Sequence, residues 1–332
     1  MNFINLKNNF FKKINYFNKN MLCLEEEINN GGLNDKIQGL LNKNIINIKK
    51  ACEKIKRGKF ASSNLKELKS ILRELTFDWF LKSACIKRSF EKPRGYAGDF
   101  EIIDRIYRNE QTGKGIGFAI DKYYLENKGC KAMRSRKKFC VNLIIKLVKE
   151  IFNKNQQLIS IFNLGGGPGR DILEILEQLN YSVPVNIKML DQDEEALKYS
   201  KNILKKFLNY LNFKNVNLLL IVAGERYNVD RYGQHDIILC IGLYDYLDEE
   251  AAVKLTRSIY PMLKKSGKII ISNWDISNPS QTEMEWICDW YVYYRTKGSM
   301  LRIFKKAQIP SRNIKLMKDP SGYFHIGILE KN

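Results

Sequence analysis

Apolar residues recur at helical spacing through the first third of the chain. From Leu158 onward they regroup into short runs separated by amphipathic stretches. Over residues 64–75, Leu65, Leu68, Leu72 and Leu75 fall on one helical face. Residues 43–57 carry a weaker form of the same period, and Asn29-Asn30-Gly31-Gly32 is a turn between such segments. The proline and glycines of Lys92-Pro93-Arg94-Gly95-Tyr96-Ala97-Gly98-Asp99 make a loop, followed by a helical pattern over residues 100–107. Phe139, Leu143, Leu147 and Ile151 predict a further helix over residues 136–152.

The second half alternates. Apolar runs at residues 158–164, 187–190, 216–222, 236–241 and 268–272 read as buried strands. Between them, residues 171–179 and 194–207 are amphipathic. Another helix opens on the acidic turn Asp248-Glu249-Glu250 and runs to about Leu263, where Lys264-Lys265-Ser266-Gly267 closes it; both ends suit the helix dipole. Residues 279–295 read as a helix with Trp286, Trp290, Tyr293 and Tyr294 on one broad face, suited to packing or to walling a substrate. Residues 314–317 and 323–329 are strands joined by Asp319-Pro320-Ser321-Gly322, a link too short for a crossover helix, so they pair antiparallel. The pattern predicts an α/β fold: a Rossmann-like, seven-stranded, mostly parallel sheet with an antiparallel last hairpin, plus an N-terminal helical domain. The expected division is a helical or cap domain over residues 1–135 and a nucleotide-binding domain over residues 136–332.

Composition narrows the chemistry. The 332 residues carry a formal charge of +20, but the excess is mostly Lys, is spread along the chain and travels with abundant Asn and Ile. No dense basic cluster interleaved with aromatics appears, which speaks against a nucleic-acid partner. The seven cysteines are odd in number and form no C-x-x-C pair, so neither a disulfide framework nor a cysteine zinc site is expected. Cys240 and Cys288 sit in apolar runs and read as core. With two histidines, His235 and His325, no metal site is expected. The first 20 residues lack a signal-peptide pattern, and no stretch approaches 18 apolar residues. The expectation is a cytoplasmic protein with no transmembrane segment. Nothing in the pattern specifies an oligomeric state.

The clearest chemical signal is Asn163-Leu164-Gly165-Gly166-Gly167-Pro168-Gly169-Arg170-Asp171, between the first strand and its helix. Glycines there let the backbone turn tightly and approach a ligand closely. Asp191 ends the second strand about twenty residues later, where a carboxylate accepts both ribose hydroxyl protons. A dinucleotide site prefers a third glycine where Arg170 stands, and the acidic Asp171 suits a cationic amino-acid ligand better than a pyrophosphate. No Gly-Lys-Ser/Thr follows, which excludes a P-loop.

With Gly165–Gly169, Asp171, Asp191 and the entry to the fifth strand at Leu263–Lys268, the chain resembles class I methyltransferases dependent on S-adenosylmethionine (SAM). Further segments are similar to one branch, the bacterial proteins of extracellular-factor (3-hydroxypalmitic acid methyl ester) biosynthesis. These are Lys92–Asp99, Met189-Leu190-Asp191-Gln192-Asp193, Gly242-Leu243-Tyr244-Asp245-Tyr246-Leu247, and Asn278-Pro279-Ser280 with Met284–Arg295. The resemblance runs from about Phe77 to the C-terminus. It implies SAM as cofactor, a small-molecule substrate and methyl transfer to a carboxylate such as a fatty acid's. It implies cofactor contacts from Gly165, Gly166, Gly167, Gly169, Asp171, Asp191, Gln192, Gly242, Arg94, Tyr96 and Asp99, and acceptor-site roles for Tyr244, Tyr246 and Arg295.

The acceptor of such an enzyme lies beyond the C-terminal ends of the strands, so Tyr244, Asp245, Tyr246, Asn273, Trp274 and Asp275 should rim it. A carboxylate acceptor is ionised near pH 7 and needs no base, in agreement with the scarcity of histidine. Tyr244 and Tyr246 could hold the sulfonium by cation–π contact, or simply pack. Arg94 and Arg295 could each bind a carboxylate, of SAM or of the acceptor, or pair with Asp99, Asp245 or Asp289. Asp99 could contact the SAM amino group. His235 is expected at the far end of the fourth strand, and His325 in a structural role. Three alternatives stand beside methyl transfer to a small molecule. One is an intramolecular cyclase that consumes SAM and releases methylthioadenosine. Another is a non-catalytic SAM-binding or interaction protein using the basic N-terminal helices. The third, a nucleic-acid methyltransferase, is disfavoured because Gly242-Leu243-Tyr244-Asp245 stands where amino-methylating enzymes carry Asn/Asp-Pro-Pro-Tyr.

Overall fold

The structure is a computed structural model that describes residues 3–58, 60–223 and 228–332; Met1 and Asn2, which open the segment read for a signal peptide, lie outside the described residues. Its helices are α1 (Phe3–Gly31), α2 (Asp35–Arg57), α3 (Ser62–Phe80), α4 (Ala84–Glu91), α5 (Phe100–Arg108), α6 (Ile116–Glu126), α7 (Lys128–Asn155), α8 (Arg170–Leu179), α9 (Glu194–Ile203), α10 (Leu218–Ala223), α11 (Asn228–Tyr232), α12 (Glu249–Ile259), α13 (Gln281–Trp286) and α14 (Lys297–Lys306). Its strands are β1 (Ile159–Leu164), β2 (Val185–Asp191), β3 (Leu211–Asn215), β4 (His235–Cys240), β5 (Leu263–Trp274), β6 (Ile314–Lys318) and β7 (Phe324–Glu330). Two compact units result: Met1–Lys131 with Pro279–Tyr291, and Ala132–Asn278 with Val292–Asn332. Among the described residues, no helix is long and apolar enough to cross a membrane.

The first unit is helical because its sequence is periodic. Leu6, Phe10, Ile14, Phe17, Met21, Leu24 and Ile28 form the buried stripe of α1. Asn34 caps α2 by accepting the Ile37 N–H at 3.0 Å. Asn44 of α2 donates to the Phe17 carbonyl of α1 at 3.0 Å, which registers the two helices. Arg73 of α3 holds the Pro279–Tyr291 segment: it donates to the Trp286 and Glu285 carbonyls at 2.9 and 3.1 Å and pairs with Asp289 at 2.7 Å. Lys92 reaches the same carboxylate at 2.6 Å.

That segment differs from its expected form. The helix ends at Trp286 rather than running to Arg295, and Asp289 takes the left-handed conformation at φ 50°. The residues after Trp286 are rich in aromatic and β-branched side chains, which lose rotamer freedom in a helix. Breaking the helix also brings Asp289 to two cations. The four aromatics therefore share no helical face: Trp286 and Trp290 are buried, while Tyr293 is half exposed.

In the second unit the strands described form a seven-stranded sheet of order β3-β2-β1-β4-β5-β7-β6. The pairs β1–β2, β1–β4, β2–β3 and β4–β5 are parallel. The pairs β5–β7 and β6–β7 are antiparallel, as the short final link requires. Two expectations are corrected. Residues 216–222 do not form the third strand. Leu211–Asn215 pairs with β2 instead, and Leu218–Ala223 is helical, with Leu219 and Leu220 exposed and Ile221 buried. The continuous apolar run over 218–222 has no period to separate a buried strand from a helix, while Asn217 ahead of it accepts the Leu219 N–H at 2.9 Å and starts the helix. The α12 helix stops at Ile259 and not near Leu263, because Pro261 has no N–H to continue it. Lys264-Lys265-Ser266-Gly267 accordingly belongs to β5.

His235, at the start of β4, is buried. Its ring bonds Ser160 Oγ at 2.8 Å and the Tyr232 carbonyl at 3.1 Å and stacks on Phe162. Desolvation, with Lys188 nearby, lowers its pKa to about 4. Between that value and the usual 6.5 the unfolded chain binds the proton and the folded chain does not, so stability falls as pH drops through this window. Relative to a His235→Asn variant, the wild-type chain should lose on the order of 3 kcal/mol between pH 7 and 4, from the per-unit value of a pKa shift. Urea unfolding at several pH values measures this, and parallel curves for the two chains would contradict it.

Candidate functional site

In the second unit, β1, β2, β4 and β5 run parallel, so their C-terminal ends lie on one edge of the sheet. The glycine turn leaves β1 at that edge. Gly165 and Gly166 donate their N–H groups to the Leu190 carbonyl at 2.9 and 3.1 Å, which straps the turn to β2. Gly167 donates to Asp191 Oδ2 at 2.8 Å. Ser200 of α9 closes the turn from the other side, its hydroxyl donating to the Gly167 carbonyl at 2.7 Å. Gly169 is required on two counts: its φ is +70°, and a Cβ there would lie 3.1 Å from Ser200 Oγ.

Asp191 is buried and accepts from the Asp193 N–H at 2.9 Å as well as from Gly167. Desolvation raises its pKa, and the backbone N–H bonds counter that. Asp171 lies in the first turn of α8, where its carboxylate accepts the Ile172 N–H at 2.9 Å. Burial pushes its pKa up, against the pull of Lys137 and Arg136. Gln192 follows Asp191, and its carbonyl accepts from Asn215 Nδ2 at 3.1 Å.

Beyond β4, Gly242 has φ +86° and donates to Ser272 Oγ at 2.9 Å. A Cβ on it would lie 3.5 Å from the Arg136 guanidinium. Arg136 is buried, stacks over the Phe324 ring at 4.5 Å and approaches Asp245 at 3.5 Å. Asp245 also accepts the Trp274 N–H at 2.8 Å. Burial lifts the Asp245 pKa to about 6, against Arg136, the Trp274 N–H and Arg295.

Several expected acceptor-site residues are placed otherwise. Tyr244 is wholly buried in the core, and its hydroxyl shares a 2.6 Å bond with Thr256 Oγ1. Arg295 is buried too; it donates to the Tyr244 carbonyl at 2.8 Å, to Asn273 Oδ1 and to the Leu247 carbonyl. It is a strut between the ends of β4 and β5. Asn273, Trp274 and Asp275 are buried rather than lining an open rim. Of the Tyr244-Asp245-Tyr246 trio, Tyr246 alone is exposed, at 40%. His325 Nε2 lies 2.6 Å from the Asp275 carboxylate, and Lys318 joins that carboxylate at 3.2 Å.

Arg94, Tyr96 and Asp99 belong to the first unit. Asp99 is buried as the cap of α5, accepting the Glu101 and Ile102 N–H groups at 3.1 and 3.0 Å and pairing with Arg88 at 2.8 Å. The Arg94 guanidinium lies 4.8 Å from the Phe100 ring centroid. Tyr96 is half-buried. Sequence reasoning missed Ser200 and Arg136. Ser200 was legible as a hydroxyl at the i+3 and i+4 positions from the apolar Leu197 and Ala196 of α9. Arg136 sat at the edge of an expected helix and carried no signal of its own.

A family described as "Putative methyltransferase" matches residues 94–284, more than half of the chain. The chain belongs to this methyltransferase family. No curated protein matches the sequence. Among solved structures, a "possible exported protein" from Bordetella parapertussis is 16% identical with a TM-score of 0.55, covering 70% of this chain and 79% of that one. A "putative methyltransferase" from Thermobifida fusca is 13% identical with a TM-score of 0.51, covering 69% and 93%. At these identities the likeness concerns the fold, and it agrees with a methyltransferase-type sheet.

The Arg295 strut has a measurable weight. Arg295→Met should lower stability by about 3 kcal/mol or more, because buried acceptors lose their donor. Thermal unfolding reads this directly. An unchanged Tm would return Arg295 to the set of ligand-facing groups.

Proposed function

We propose that the chain is a SAM-dependent methyltransferase acting on a small molecule, with a carboxylate as acceptor. The observation that carries the cofactor reading is the Gly167–Asp191 bond: a flexible glycine turn and a buried carboxylate meet at the ends of β1 and β2. The donor set fits SAM. Asp191 keeps acceptor capacity for ribose hydroxyls beside the two N–H groups it already binds. The missing side chain at Gly242 leaves space beside a buried guanidinium, suited to the methionine carboxylate. Asp171 supplies negative potential for the cofactor's amino group. SAM, when bound, supplies a methyl group on a sulfonium. The protein's part is to align the acceptor in line with it and to exclude water.

The carboxylate acceptor is supported by the scarcity of bases and by the resemblance of Lys92–Asp99, Gly242–Leu247 and Met284–Arg295 to the fatty-acid methyl ester branch. Both histidines are buried against protein partners, so neither is poised to deprotonate a hydroxyl. An acceptor already ionised at neutral pH needs no such base. We place the reaction in the cytoplasm.

Asp191→Ala should weaken SAM binding by about 1–3 kcal/mol through loss of the ribose partner, read by calorimetry at temperatures where the variant stays folded. Equal affinities would remove Asp191 from the site. Incubation of the full chain with SAM and a panel of fatty acids, followed by mass spectrometry, tests the chemistry. The expected product is S-adenosylhomocysteine that appears only with acceptor. Methylthioadenosine formed from SAM alone would replace methyl transfer with internal cyclisation.

A further inference from the structure

Along the seam of α1 and α2, within the first unit, runs a trough of about 560 Å³. Lys12 and Lys13 stand on the α1 side and Lys50 and Lys54 on the α2 side, all exposed. Among the described residues none of the four makes an ion pair, and no acidic side chain lines the trough. Phe17, Ile48 and Ala51, each at most 8% exposed, give it an apolar floor. A second hollow of about 250 Å³ shares Tyr16, Asn44 and Asn47 with it; Lys43 and Glu27 both line that hollow, so the uncompensated lysine rim is confined to the first. Lysine rims left uncompensated repel one another, at a cost that an anionic occupant would relieve.

We propose that this trough is a docking site for an acidic amphipathic helix of a partner protein. Two neighbouring helices leave a groove that receives the ridge of a third. Lys50 and Lys54 are one turn apart, so carboxylates at i and i+4 on an incoming helix match that rim. The apolar stripe between its acidic flanks meets the ring of Tyr16, which is 62% exposed, and the aliphatic stems of the rim lysines, above the buried Phe17, Ile48 and Ala51. Single-stranded nucleic acid fits less well: the trough offers one exposed aromatic, Tyr16, for stacking, and its cations are lysines without the planar arginine fork. A bilayer surface is flat, whereas the site is a trough between two helices. The proposal stands independently of the methyl-transfer reading.

The test is fluorescence anisotropy of a labelled synthetic helix of roughly 18 residues, about five turns. It carries leucines along one face and glutamates on both flanks, and is titrated with the full chain. A scrambled peptide of the same composition, an oligothymidylate and phosphatidylserine vesicles are measured alongside. Saturable binding of the amphipathic peptide, weakened by salt and at least about tenfold weaker for the scrambled one, is expected. Lys12→Glu with Lys50→Glu should cut the affinity at least about tenfold with an unchanged circular dichroism spectrum. Asn47→Trp, which fills the trough without altering its charge, should do likewise and serves if charge reversal disturbs folding. Equal binding of the scrambled peptide, unchanged affinity in Asn47→Trp, or tighter binding of oligothymidylate or vesicles than of the peptide would each overturn the proposal.

Discussion

The ligand-facing edge of the second unit depends on where the Asp191 carboxylate sits. Its position is set by β2, and its oxygens reach the Gly167 and Asp193 N–H groups on either side. The glycine turn has no side chains with which to fix its own shape. The strap to Leu190, the Asp191 bond and the Ser200 hydroxyl supply that constraint from outside. This division explains why glycine is tolerable at so many consecutive positions: the flexibility is local, and the order is imposed by the neighbouring strand and helix. Asp191 is therefore part of the scaffold, and the ribose contact proposed for it would use lone pairs that these two N–H groups leave over.

A second constraint operates at the ends of β4 and β5. Asp245, Arg136, Arg295 and Asn273 are buried together with backbone groups that the strand ends leave over. Burying such groups is costly unless each finds a partner. The arrangement spends its charges on the protein itself: Arg295 on two carbonyls and an amide, Asp245 on a backbone N–H and a guanidinium. The polar residues expected to rim an acceptor thus hold the loops in shape.

Periodicity made most of the fold legible. The strands at β1, β2, β4, β5, β6 and β7 and the antiparallel hairpin follow from apolar runs and turn residues. The glycine turn and Asp191, expected to act together from their order along the chain, are joined by the Gly167 bond. What escaped was of two kinds. Residues 218–222 are uniformly apolar, and such a run fits a strand or a helix equally; the cap residue ahead of it, Asn217, was the signal passed over. Tyr244 and Arg295 have the chemistry of ligand-binding groups, but whether a tyrosine faces a ligand or a threonine depends on the rotation of a loop that no local pattern encodes. Trp286 and Tyr293 illustrate the same limit, since the turn at Asp289 is chosen by Arg73 and Lys92, some two hundred positions away.

That separation has a consequence for how the protein is made. The first unit is discontinuous, and its closing segment, Pro279–Tyr291, is interposed within the second. Arg73 leaves the ribosome 216 residues before Asp289. During synthesis, the helical unit must wait in an incomplete form until β1 to β5 have emerged, its contact surface for α13 still bare. Chain order couples the folding of the two units, and a nascent chain arrested before residue 279 would hold a helical unit unable to close.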